Sequence, residues 1–283
     1  MSVVPTFHPP LPVLDLLDGL CEHGPVVLSD DASPCTFDPL LRKAALRGHV
    51  DVVRHGSNAG IARGLNEGLA YALDQGASWL LTVDQDTRLA PDYIPRMLAW
   101  LSHIDSASTR IGVVGADHVL DGKARIRYPL VEIDGLATTT EVIQTGSLWN
   151  VAALQRIGGY DESFGIDAVD AAACVRLREA GYLVVVQPGL ALQHTIGNSR
   201  TIHAFGRDIM VTGHSPARRS TMVQNRLKLF PEEFQQSPRH ALRSLRRVFV
   251  NQSLGLILEG GRKDKAWGTL HGFRTTQRDT LQP

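Results

Sequence analysis

Four short apolar runs open the chain, and each stops at a polar cluster. Residues 2–4 lead to Thr6, and "PVVLSDDAS" (25–33) carries Asp30 and Asp31. "VDVVRHG" (50–56) precedes Asn58, and Trp79–Val83 ends at Asp84, Gln85 and Asp86. Between these runs, "LPVLDLLDGLCEHG", "DPLLRKAALRGH" and "AGIARGLNEGLAYALDQG" space their apolar residues as helices do. Short apolar runs bounded by turn residues read as buried strands, and a 3.6-residue apolar period reads as a helix. Strict strand–helix alternation over four strands demands a doubly wound, mostly parallel sheet with helices on both faces. In such sheets ligands sit beyond the carboxyl ends of the strands, where the strand order switches. Connectivity alone therefore gathers Thr6, Asp30, Asp31, Asn58, Asp84 and Asp86 along one edge.

From residue 111 the pattern changes. "IGVVGADHVL" reads as a further strand and the stretch 124–150 as antiparallel strands with turns. "VAALQRIGGYDESF" is a short helix ending at Gly158 and Gly159, and a helix stopping near Gly181 leads into a last buried strand. We expect an α/β domain over residues 1–230 and a basic amphipathic helical extension over 231–283. That extension should place Leu242, Leu245, Val248 and Phe249 on one face, with Arg243, Arg246 and Arg247 largely elsewhere.

The 283 residues carry 29 Lys+Arg and 29 Asp+Glu, but the charges are segregated. Residues 1–199 hold 14 basic and 23 acidic side chains, net −9. Residues 200–283 hold 15 and 6, net +9. The acidic part suits a cation and the chemistry, and the basic tail suits an anionic partner such as phosphate or a membrane surface. No apolar run approaches the roughly 18 residues that a membrane span requires, and "MSVVPTFHPP" does not read as a leader. Cys21, Cys35 and Cys174 are scattered, odd in number and outside metal-ligand spacing, as reduced cytoplasmic thiols would be.

Asp84 and Asp86 point to the same side if the strand persists, because side chains alternate along it. Two carboxylates that close repel each other unless a cation compensates. Mg²⁺ or Mn²⁺ fits, since these hard cations take one or two carboxylates and complete their shell with phosphate oxygens and water. The glycine-rich stretch at 56–68 lacks the G-x-G-x-x-G of a dinucleotide fold, which argues against a nicotinamide oxidoreductase. Gly60, Gly64 and Gly68 recur every four residues instead. They form a small-residue stripe that would let the helix lie close to the sheet, with Asn58 as its expected cap.

Five segments, in order, resemble the family-2-like glycosyltransferases of the GT-A (Rossmann-like) fold, especially the bacterial rhamnosyltransferase-like branch. They are "VVPTFHPP", "VVLSDDAS", "NAGIARGLNEGLAYALDQGASWLLTVDQDT", "TGSLWNVAALQRIGGYDESFGIDAVD" and "LALQHTIGN". The resemblance covers roughly residues 2–230. It implies donor-nucleotide contacts from Thr6, Asp31, Asn58, Arg63 and Asp84, and metal contacts from Asp86 and His194. It also implies an acceptor side at Gly146, Ser147 and Asp167, with Asp170 as catalytic base, counting back from Arg176. Asp167 is alternatively a helix cap. Where many relatives have an acidic residue two positions after the base, this chain has Ala172.

The activity implied is inverting, metal-dependent sugar transfer, with rhamnose from dTDP-rhamnose as the best match. The acceptor would be a saccharide, free or linked to a polyprenyl diphosphate, and no nucleic-acid partner is expected. The chain would be cytoplasmic, in peripheral contact with the inner membrane face, and able to form a homodimer. The alternatives are a transferase of the same fold using UDP-galactofuranose or another UDP-hexose, and a nucleotide-sugar-binding protein without turnover.

Overall fold

The computed structural model describes residues 1–104, 109–121, 124–194, 200–204, 206–211, 213–258, 264 and 266–272. Residues 195–198 of the expected "LALQHTIGN" segment lie outside them. The chain divides into two compact units, Met1–His194 and Thr195–Pro283.

In the first unit the expected alternation is present. β1 (Ser2–Thr6), α1 (Val13–Cys21), β2 (Val26–Asp30), α2 (Asp38–Ala45), β3 (Val50–Arg54), α3 (Ile61–Asp74) and β4 (Trp79–Thr82) follow one another. β1 pairs in parallel with both β2 and β4, and β2 with β3, so these strands run in the order β3-β2-β1-β4. The order reverses between β1 and β4, which makes their carboxyl ends the switch point.

A helix that the apolar spacing did not announce follows, α4 (Tyr93–Ser102). Its Pro95 stands in the first turn, where a helix has no use for the missing N–H. β5 (Ile111–Asp121), β6 (Ala124–Arg127), β7 (Val131–Ile133), β8 (Leu136–Thr138) and β9 (Ser147–Asn150) then extend the sheet. α5 (Val151–Arg156), α6 (Val169–Glu179) and β10 (Leu183–Gln193) complete the unit. The ten-stranded sheet runs β3-β2-β1-β4-β9-β5-β10-β8-β7, with β6 paired to β5. β9 enters antiparallel between β4 and β5, in the stretch expected to be antiparallel, so the second half of the sheet is mixed where the first is parallel.

Strand side chains alternate between two layers. Val4, Val26 and Leu28 join Leu17 and Leu20 of α1, Leu41 of α2 and Met97 of α4 in one core. Val3 faces the other layer, where α3 crosses β1. The glycine stripe does what its spacing predicts. A Cβ on Gly68 would sit 2.4 Å from the Val3 Cβ, and one on Gly64 would sit 3.0 Å from Ser29 Oγ. Gly68→Ala is therefore expected to destabilise the protein. Overpacking costs about 1–3 kcal/mol, more than the ~1 kcal/mol that alanine's helix propensity returns. Urea denaturation measures the balance, and unchanged stability would show that α3 can retreat from β1.

The second unit begins with a hairpin, β11 (Arg200–Ala204) and β12 (Arg207–Val211), and continues into α7 (Pro216–Gln236) and α8 (Pro238–Leu258). α7 runs straight through the expected domain limit at 230/231, because the helix absorbs Pro231. α8 packs on α7 through small and polar residues, Ala241, Ser244, Gln252 and Gly255. Arg219 of α7, 2% exposed, donates to the Gln252 carbonyl (3.2 Å) and Oε1 (2.7 Å). A Cβ on Gly255 would lie 1.7 Å from its guanidinium. Of the expected apolar face, Leu242 is 54% and Phe249 43% exposed and Leu245 and Val248 are half-buried, with Arg243, Arg246 and Arg247 exposed on the same helix. Among the described residues no helix is long and apolar enough to cross a membrane.

Candidate active site

Three loops converge at the switch point. Thr6 closes β1, Asp30 closes β2 with Asp31 next, and Asp84–Asp86 follow β4. Gln85, which the sequence reading passed over between its two aspartates, ties two of these loops together. Its Oε1 accepts from the Thr6 hydroxyl and from the Phe7 N–H (3.1 Å), and its Nε2 donates to the Phe7 carbonyl (3.0 Å). An amide between two carboxylates is the available signal, since it can both accept from a backbone N–H and donate to a backbone carbonyl, which a carboxylate cannot.

Asp86 is exposed, Asp84 half-buried and His194 half-buried at the end of β10. Their ligand atoms all lie within 4.8 Å of one another. His194 Nε2 is 3.6 Å from Asp84 Oδ2. Its Nδ1 is 3.0 Å from Thr87 Oγ1, which is 2.7 Å from Thr145 Oγ1. Burial lowers the His194 pKa against the opposing pull of Asp86 and Asp121, so the ring is neutral near pH 7. A neutral imidazole that donates from Nδ1 to the Thr87 hydroxyl presents Nε2 as a lone pair, the form in which histidine binds metals. Two carboxylates and this nitrogen are a donor set that fits Mn²⁺ or Mg²⁺.

Asp170 stands in the first turn of α6, where the helix dipole favours a negative charge. Its oxygens accept from the N–H of Ala171 (2.8 Å) and of Gln144 (3.2 Å). Gln144 also donates from Nε2 to Asp84 Oδ1, so one residue touches both carboxylates. Its carbonyl in turn accepts from Thr82 Oγ1, which also accepts from the Trp149 indole (3.0 Å). Nothing in the spacing of "EVIQTGSLWN" flags Gln144, since its two contacts lie 26 and 60 residues away along the chain.

The remaining expected residues are placed as follows. Gly146 and Ser147 are buried beneath the site. Tyr93 donates to the Gly146 carbonyl (2.6 Å), and Ser147 donates to the Ile143 carbonyl (2.6 Å). They hold β9 in place, with Gly146 at φ +70°, where a Cβ would strike Leu192. Asn58 is exposed and does not cap α3. The cap position is Gly60 at φ +88°, where a Cβ would lie 2.5 Å from the Gly165 carbonyl oxygen. Arg63 is exposed on the first turn of α3. Asp167 and Ala168 both have positive φ (68° and 60°), and α6 starts without a side-chain cap. Such backbone costs about 1–3 kcal/mol per residue and persists only where its surroundings hold it. Ala172 is buried between Ala171 and Ala173, where a carboxylate would have no water.

This is a GT-A fold with its polar groups at the expected edge, and the chain belongs to glycosyl transferase family 2, whose model matches residues 3–155. It is 28% identical over 240 residues to the dTDP-rhamnosyl transferase RfbF of Shigella flexneri, covering 79% of this chain and 77% of that protein. Among solved structures it resembles TarS residues 1–349 of S. aureus in complex with UDP-GlcNAc. The TM-score is 0.62 at 15% identity, over 97% of this chain and 79% of that one. The mannosyltransferase PcManGT from Pyrobaculum calidifontis, in complex with GDP-Man and Mn²⁺, matches with a TM-score of 0.60 at 15% identity, over 99% and 85%. The protein is a glycosyltransferase with a nucleotide-sugar donor.

Proposed function

We propose that this glycosyltransferase is inverting and metal-dependent, and that it moves rhamnose from dTDP-rhamnose to a saccharide, free or carried on a polyprenyl diphosphate. One observation carries the mechanism. Asp84, Asp86 and His194 form a compact donor set, and Gln144 links that set to Asp170. The rhamnose reading rests on the likeness to RfbF.

Asp86, His194 and Asp84 would hold Mg²⁺ or Mn²⁺, which supplies positive charge against the diphosphate leaving group. Thr6 and Asp31, at the neighbouring strand ends, would receive the nucleoside. Asp170, oriented by two N–H donors at the start of α6, would take the acceptor hydroxyl's proton as the oxygen attacks the anomeric carbon. Attack from the face opposite the departing diphosphate inverts the anomeric configuration, through an oxocarbenium-like state as in glycoside hydrolysis. Calorimetry with dTDP, UDP and GDP, each with and without Mn²⁺, tests the donor. Preference for dTDP supports rhamnose, preference for UDP turns the reading to a hexosyl or galactofuranosyl donor, and no binding leaves a protein without this site.

The second unit supports a membrane-bound acceptor. Leu242, Phe249, Val250 and Ile257 of α8 are exposed alongside Arg243, Arg246 and Arg247, a mixture that suits anionic headgroups. The protein is expected to co-sediment with anionic vesicles at low salt and to be released as salt rises. Failure to sediment at low salt would end this part of the reading, which places the enzyme at the cytoplasmic face of the inner membrane.

A further inference from the structure

His55 follows β3 directly, and its side chain is only 5% exposed. Nδ1 lies 3.0 Å from Asp31 Oδ1, and Nε2 lies 2.8 Å from Glu67 Oε1. Ser29 Oγ, 3.3 Å from Nε2, donates to the other oxygen of Glu67 (2.6 Å). An ionised carboxylate only accepts hydrogen bonds, so two carboxylates at the two ring nitrogens require two N–H donors. The ring that satisfies both is the imidazolium. A neutral ring would turn a lone pair on one of them. Burial works against this charge, and the hydrogen bonds to Glu67 and Asp31 overcome it, raising the His55 pKa above the usual 6.5.

The other charged groups nearby are engaged elsewhere or exposed. Arg54 pairs with Asp38 (2.5 Å) and Asp30 (3.4 Å), and Arg63, one turn before Glu67 on α3, is exposed. Asp31 Oδ1 also accepts from the Ala59 N–H (2.7 Å), and Oδ2 accepts from the Gly60 N–H (2.9 Å). A carboxylate offers about four acceptor sites. Three are used, so one remains, on Oδ2, in a residue that is 9% exposed.

We infer that His55 is a positioning residue of the donor site: as an imidazolium it clamps Asp31 between β3 and α3 and leaves one acceptor, fixed in orientation, for an N–H or O–H of the donor's nucleoside. The inference rests on Asp31 as a nucleoside contact. Glu67 belongs to the same device, since its charge helps to keep the proton on His55. As pH rises through the His55 pKa, one of the two ion pairs is lost and Asp31 is no longer held from both sides.

Nucleoside diphosphate affinity of the natural protein, measured by calorimetry in saturating Mn²⁺, should therefore fall as pH rises through the His55 pKa. Glu67→Gln should move that fall to lower pH. His55→Ala should weaken the nucleotide about tenfold or more and flatten the pH profile, with the loss in the donor KM and far less in kcat. Affinity and profile unchanged in His55→Ala, or the same transition in Glu67→Gln as in the natural protein, would overturn the inference while leaving the donor site standing. No nucleotide binding by the natural protein at any pH would overturn the donor-site reading as well. The titration of the natural protein needs no variant, so a poorly folding His55→Ala cannot shield the idea.

Discussion

Asp170→Asn is expected to bind the donor nucleotide as the natural protein does and to lose about 10²–10⁴-fold in kcat, the usual worth of a positioned general base. The substitution keeps the shape of the side chain. An amide oxygen can still accept from the Ala171 or the Gln144 N–H, so the first turn of α6 or the loop around Gln144 keeps its hydrogen bond to the side chain. What disappears is the place for the acceptor's proton. Steady-state kinetics over a range of donor concentrations separates the two effects: the loss belongs in kcat, with the donor KM little changed. Turnover within a few-fold of normal would remove Asp170 from the role. Asp167, half-buried three residues earlier, would be the next carboxylate to examine.

Asp86→Ala should abolish the difference between nucleotide binding with and without Mn²⁺. Asp86 is exposed, and its removal leaves the Gln85 clamp, the Gln144 bridge and the His194–Thr87 contact in place. Exposed substitutions of this kind usually change stability by less than about 0.5 kcal/mol, so thermal unfolding should be nearly unaltered. A cation would then have only Asp84 and His194, too few donors to hold it against a diphosphate. Calorimetry of the favoured nucleoside diphosphate reads the effect directly. Mn²⁺-dependent binding that survives in Asp86→Ala would place the cation elsewhere or make it dispensable. Binding lost equally with and without Mn²⁺ would mean that Asp86 contacts the nucleotide itself.

Most of the first half of the fold was legible because local pattern and global topology agree there. Parallel strands buried on both faces must be apolar runs, and Gly64 and Gly68 had only one use on a helix without a dinucleotide fingerprint. The second half was less legible. β9 reads as an antiparallel strand, but it pairs with β4 and β5, which lie far from it in sequence, so its place between them left no local mark. α8 was legible as an amphipathic helix, and packing decided which side turns inward: the buried Arg219–Gln252 contact brings the small residues in and leaves Leu242 and Phe249 exposed.

By itself, the sequence determined that Thr6, Asp31, Asp84 and Asp86 share one edge, because chain direction in a parallel sheet puts every strand's end on the same side. It also placed Asp170 near the start of a helix. Tertiary structure decided what those groups touch. Gln85 clamps the first loop, Gln144 joins Asp84 to Asp170, His194 returns from the end of β10 to the aspartates, and His55 lies between Asp31 and Glu67. Each of these last contacts is a side-chain direction across residues distant in sequence. Periodicity constrains which face a residue occupies, and only packing fixes the partner it meets there.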